Sequence, residues 1–232
     1  MNTKIFILIT LITGIISGLI YSLLNFLMIE PYIDKAIEFE IERLETEGES
    51  IDMNEITTYR LWQKEGSVFA AIVLTIAYTS IFAIVYSYVR NSINGSEVKR
   101  GLIISSILWI VIFLVPSLKY PANPPAVGDP TTIYYRQALY LTILGISMSV
   151  ALFLAYLARF KKIKHVIPFI YIGIITAAYL ILPNNPDEVT ITMDVVNWFR
   201  IVSIIASLIT WLSLGVIFGA LYKRFNKVEK LT

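Results

Sequence analysis

The chain has 232 residues, 56% hydrophobic and 16% charged, and a formal net charge of +2; its mean hydropathy is +0.70. Soluble domains carry about 25% charge and under about 50% apolar residues, so this composition excludes an ordinary soluble domain and points to the bilayer. With no cysteine and one histidine, His165, the chain also excludes disulfide frameworks, thiolate metal sites, a cysteine nucleophile and His-pair zinc motifs.

Six apolar runs follow in chain order, at 5–29, 66–89, 101–118, 137–157, 166–182 and 201–222. None has an ionised residue in its interior, and each approaches the ~20 residues needed to cross ~30 Å of hydrocarbon as helix. The third and fifth are short, to be completed by flanking residues. Unbroken apolar runs without two-residue alternation do not build a lipid-facing barrel. The fold class is therefore all-α: a polytopic membrane helix bundle of about six transmembrane helices, forming one integral membrane domain over 1–232. The first run is read as a retained helix and not a cleaved secretory signal, because it is long and Glu30-Pro31 follows it.

Charge sorts by loop. Placing the N-terminus inside puts twelve bases and two acids (Glu97, Glu229) on the inner face, against seven bases and fifteen acids outside. The inner bases include Arg90, Lys99, Arg100, Lys161, Lys162, Lys164, Lys223 and Arg224. The positive-inside rule then predicts an N-in, C-in protein of the cytoplasmic membrane.

Three outer pieces remain. Segment 30–65 is acidic, with eleven acids against four bases. Its start reads as a helix, since Ile33, Ile37, Ile41 and Leu44 form one stripe and Asp34, Glu38, Glu42 and Glu45 its neighbour. That acid stripe reads either as a divalent-cation antenna at a pore mouth or as an ordinary solvated face. Segment 119–136 is a proline-rich loop. Pro116, Pro121, Pro124, Pro125 and Pro130 fix φ and remove donors, predicting a stiff non-helical connector with free carbonyls and Asp129 at a turn. It reads either as a cap over the outer mouth or as a rigid surface loop. Arg136 opens the fourth helix beside Gln137 and is expected to pair with an outer carboxylate such as Asp129. The third piece, 183–200, carries Asp187, Glu188 and Asp194.

Gly14-x-x-x-Gly18 in the first run and Gly215-x-x-x-Gly219 in the last permit close helix packing, against each other or against a partner's helix. His165 lies among lysines that oppose cation binding, so it is expected to be interfacial. No nucleotide-binding loop, enzyme motif or bound cofactor is expected, and no nucleic-acid partner.

The stretch 115–137, VPSLKYPANPPAVGDPTTIYYRQ, resembles the signature of the CbtA family of cobalt transporter subunits. There a span ends in a proline-bearing connector followed by a helix starting Arg-Gln, matched here by Pro116, Pro121, Pro124, Arg136 and Gln137. Pro31, Ala36, Phe39 and Glu40 resemble the family's pattern after its first helix. The resemblance implies a permease subunit for cobalt uptake, linked to cobalamin synthesis, beside a small single-span histidine-bearing subunit, CbtB. Co2+ prefers imidazole to carboxylate alone. The partner would then supply imidazoles, or transit would use weak oxygen ligands such as Glu40, Asp129 and connector carbonyls. The competing reading is a non-transporting membrane scaffold within a larger complex.

Overall fold

The computed structural model describes residues 2–48, 50–125, 127–160, 165–186 and 189–229. The lysines at 161, 162 and 164, the acids Glu49, Asp187 and Glu188, and Lys230 lie outside the described residues. The described chain is helix and short connector, with no strand.

Six helical rods run in order: α1 (Thr3–Thr46), α2 (Met53–Val89), α3 (Glu97–Lys119), α4 (Ile133–Phe160), α5 (Ile167–Ile181) and α6 (Met193–Glu229). Five of them, α1, α2, α3, α4 and α6, are long and apolar enough to cross a membrane. The remaining rod, α5, has 15 residues, a rise of about 22 Å, short of the ~30 Å hydrocarbon thickness. The rods overrun the apolar runs at the acidic end. There α1 continues to Thr46 and α2 begins at Met53, so most of 30–65 is helical.

Polar side chains start these rods. Asn2 caps α1 by accepting from the Lys4 N–H at 3.0 Å, and Asp52 caps α2 through the Asn54 N–H at 2.8 Å. Ser96 does the same for α3, after Gly95, whose φ of 127° no side chain tolerates readily.

Two prolines sit inside rods and do not break them. Proline lacks an N–H and its ring crowds the carbonyl four residues back, so regular helix cannot continue through it. Each helix responds by widening for one turn, at Asn25–Ile29 before Glu30-Pro31 and at Ile110–Leu114 before Val115-Pro116. The bonds there span five residues, Glu30 N–H to the Asn25 carbonyl and Val115 N–H to the Ile110 carbonyl. The expectation that Pro116 belongs to a non-helical connector is thereby corrected. It lies buried in α3, because the wider turn moves the crowded carbonyl aside.

Two glycine ridges hold the bundle together. A Cβ on Gly18 would lie 2.6 Å from the Ile72 Cα, and one on Gly14 2.8 Å from the Ile76 Cα, so α1 and α2 touch backbone to backbone. Gly215 and Gly219 press in the same way on Gly101 and Glu97 of α3. The two ridges therefore meet different helices of this chain and not each other. Between these pairs an aromatic core of Phe6, Phe82, Tyr86, Phe218 and Tyr222 closes the bundle, with Phe82–Phe218 and Tyr86–Phe218 ring centroids both at 5.0 Å. Outward, Leu23, Phe26, Leu27, Phe69, Val73, Leu180 and Ile181 are exposed. An apolar girdle on that scale is stable only against lipid.

Candidate functional site

The proline connector arches over the end of α3 and α4, above a cavity of about 770 Å³. Pro121, Pro124, Pro125, Arg136 and Gln137 line it, together with Ser117, Tyr120, Asn123, Tyr140 and Asn185. Its polar lining is mostly neutral oxygen donors.

The arch is pinned at both ends and at its crown. Tyr120 donates its hydroxyl to the Pro183 carbonyl at 2.6 Å. Lys119 reaches the Tyr179 carbonyl at 3.0 Å and the Asn184 amide oxygen at 3.1 Å. Arg200, near the start of α6, donates to Asn123 Oδ1 at 2.6 Å and to the Ala122 carbonyl. A segment with few N–H donors cannot build a ladder of its own, so side-chain donors hold it, Lys119 and Tyr120 at its start and Arg200 from α6.

Asp129 stands at the far foot of the arch. Its carboxylate accepts from the Thr131 N–H and the Thr131 hydroxyl, both at 2.8 Å, and starts the short turn Pro130–Thr132 that leads into α4. Those two bonds hold its carboxyl below the usual aspartate range. The helix starts at Ile133, three residues before the expected Arg136. Arg136 donates Nη2 to the Asp129 main-chain carbonyl at 3.1 Å and Nε to the Thr132 hydroxyl at 3.1 Å. The loop is thus tied to α4 through Asp129's backbone oxygen.

Glu40 lies elsewhere, in a cavity of about 170 Å³ with Phe39, Arg43 and Thr190–Thr192. Glu38, Glu42 and Glu45 of the acid stripe are exposed. Among the described residues no group of three or more His, Cys, Asp or Glu side chains is placed to hold a metal. His165 is exposed beside the start of α5.

A charge network that the sequence reading left unassembled sits where α1 leaves its apolar run. Arg60 bonds Glu30 at 2.6 Å and Asp34 at 3.0 Å, while Lys64 bonds Asp34 at 2.9 Å and approaches Glu30 at 3.9 Å. The Glu30 side chain is 8% exposed and that of Arg60 14%, and Asn25 and Gln63 add bonds at 3.4 and 2.7 Å. Burial pushes the Asp34 carboxyl up, but the bonds from Lys64 and Arg60 outweigh it and leave it below its usual range. Acids at 30 and 34 and bases at 60 and 64 share a four-residue spacing, but spacing alone does not say that the two pairs face each other.

At the other end of the bundle Glu97 collects Tyr86, Arg100 at 2.7 Å and Arg90 at 4.0 Å, and Arg90 caps the Tyr222 ring at 4.6 Å. This ties α2, α3 and α6 together beside Gly219.

Comparison with known proteins gives one positive finding. A family model described as a probable cobalt transporter subunit (CbtA) matches residues 3–223. No curated protein and no solved structure matches the chain.

Proposed function

We propose that this chain, which belongs to the CbtA family of probable cobalt transporter subunits, is the membrane permease subunit for uptake of a divalent cation, cobalt. In this reading the N- and C-termini are cytoplasmic, and the proline arch and acidic helices face outward at the cytoplasmic membrane. A small histidine-bearing single-span partner supplies the nitrogen ligands. The observation that carries the reading is the 770 Å³ cavity under the arch, framed by Pro121, Pro124, Arg136 and Gln137, four of the residues that carry the family likeness.

The chemistry supports passage over storage. Neutral hydroxyl, amide and carbonyl oxygens bind a divalent ion weakly, which suits a conduit because the ion must also leave. Glu40 and Asp129 would raise the local cation concentration at the approach to the arch, acting through field and not as a closed ligand set. A potential negative inside draws the ion inward at roughly 2.3 kcal/mol per charge per 100 mV.

The scaffold reading would give the glycine ridges to partner helices. Here both ridges are consumed in the chain's own packing.

The test is radio-cobalt accumulation in cells expressing the chain with and without the small partner. Accumulation should exceed that of empty cells, rise with the partner and collapse when the membrane potential is dissipated. No accumulation under either condition sinks the reading. Glu40→Gln and Asp129→Asn should lower uptake at unchanged membrane abundance; full uptake in both would remove these carboxylates from the route. Because the chain has no cysteine, Glu45→Cys and Ser96→Cys report orientation directly. An impermeant thiol reagent applied to intact cells should label the first and miss the second.

A further inference from the structure

The cavity under the arch is large for an inorganic ion. A divalent cation with six bound waters fills about 200 Å³, at ~30 Å³ for each water-sized body. The 770 Å³ here falls instead among pockets of ~300–1,000 Å³ that hold organic ligands. Phe113, Val127, Leu139 and Leu141 give it apolar walls, from which a hydrated ion gains nothing.

Its charge has the wrong sign for a bare cation. Among the described residues that line the cavity, Arg136 alone is charged, and no carboxylate lines it. The Asp129 carboxylate at the foot of the arch is bonded to Thr131.

The oxygens of the arch are committed to cations that the chain itself carries. Lys119 holds the Tyr179 carbonyl and the Asn184 amide oxygen. Arg200 holds the Ala122 carbonyl and Asn123 Oδ1, and Arg136 the Asp129 carbonyl. A metal ion arriving bare has to displace one of these tethered cations. An anion does not, because the same contacts leave donors in place. With its oxygen held by Arg200, the Asn123 amide has its N–H2 for another partner, and the Gln137 amide lines the cavity beside Arg136.

We propose that the arch cavity receives the metal as an anionic chelate, a divalent ion held by a small organic polycarboxylate. A carboxylate of the chelator that does not ligate the metal lies on the Arg136 guanidinium, whose planar fork matches it. The Asn123 and Gln137 amides donate to further chelator oxygens, and the carbon frame covers the apolar wall. The chelator thereby supplies the ligand set that the cavity lining lacks. This deepens the uptake reading and rests on it for the metal, but the binding step is tested without transport.

The experiment is equilibrium dialysis of the purified full-length protein in lipid nanodiscs. The probes are radio-cobalt alone, radiolabelled citrate alone and the two together, with isocitrate as a second hydroxy-tricarboxylate. The hydroxyl and two carboxylates of citrate hold the metal and leave the third carboxylate for Arg136. Cobalt should be retained with citrate, in equal amounts and saturably, and should pass through without it. Arg136→Lys keeps the charge but loses the fork, and should weaken chelate retention roughly tenfold. Gln137→Glu, at an exposed position, sets an acid beside Arg136 and separates the two kinds of site. Chelate retention should fall roughly tenfold, whereas a bare-cation site would tighten on cobalt.

The proposal is overturned if cobalt alone is retained as well as the chelate, or if Gln137→Glu strengthens retention of cobalt. It is equally overturned if neither tricarboxylate carries cobalt onto the protein. Should Arg136→Lys fail to fold, Gln137→Glu is read by itself on the same criteria. Chelate retention by a chain that accumulates no cobalt in cells would keep the site and retire the uptake reading. Cellular accumulation with cobalt bound free of citrate would do the reverse.

Discussion

Pro31 and Pro116 pose the same problem to two helices, and the helices meet it with the same wide turn but seal it differently. In α3 the seal is made of hydroxyls. The wide register leaves the Val111 carbonyl facing the position where Pro116 has no N–H, and Ser147 of α4 donates to it at 2.6 Å. Tyr171 of α5 backs that serine at 2.6 Å, and the Tyr179 hydroxyl reaches the Val115 carbonyl. In α1 charges gather at the turn instead. Glu30, Asp34, Arg60 and Lys64 lock the far half of α1 to α2 just as α1 leaves the apolar layer. The difference follows depth. A helix still inside the bilayer is repaired with neutral groups, whereas one at its edge can use ions that water partly screens.

Removing a cation from the α1 lock should produce the largest effect. Arg60→Ala leaves Glu30, 8% exposed, with Lys64 at 3.9 Å as its remaining cation and the Asn25 amide at 3.4 Å. Stranding a buried carboxylate costs roughly 3–5 kcal/mol, and the lower end applies because Lys64 remains. A fall in melting temperature of the detergent-solubilised protein measures it, and Glu30→Gln in the same chain should recover most of the loss. An unchanged melt would mean that water, and not Arg60, solvates Glu30.

At the α3 seal the expected cost is smaller. Ser147→Ala removes the donor to Val111 and the partner of the Tyr171 hydroxyl, a loss of about 2 kcal/mol for buried neutral groups. The comparison sharpens in a double-mutant cycle with Pro116→Ala. Restoring an N–H at 116 lets the helix satisfy its own carbonyls, so Ser147→Ala should cost less in that background. Strict additivity would show that the serine's bond has nothing to do with the proline.

Much of this was legible beforehand. Runs of apolar residues ended where charge or proline began, and five of the six are helices long enough to span. The two glycine motifs stood out by spacing, but their partners did not. Gly101 had no glycine four residues on, only Ser105, yet its backbone meets that of Gly215. Pro116 was misread because proline is ordinarily a terminator, and the wide turn that absorbs it leaves no mark in the sequence. The Glu30 lock was hidden for the same reason. An inserted residue rotates everything beyond it by about 100° about the helix axis, so which acids of α1 face α2 cannot be read from periodicity across the turn.

Acid should separate the two seals, with the smallest effect. Burial raises the Asp34 carboxyl, and its bonds from Lys64 and Arg60 lower it further than that, to below the ordinary aspartate range. A carboxyl depressed on folding stabilises the fold above its unfolded pKa, and that contribution is lost as pH falls through the folded value. The lock at Asp34 should therefore persist at pH 5 and weaken only below pH 4, whereas the hydroxyl seal in α3 has nothing to titrate there. Melting curves from pH 6 to pH 3 should show an acid limb that flattens in Asp34→Asn and keeps its shape in Ser147→Ala. A limb that survives Asp34→Asn unchanged would assign the acid sensitivity to other carboxylates of the outer helices and leave Asp34 a screened surface group.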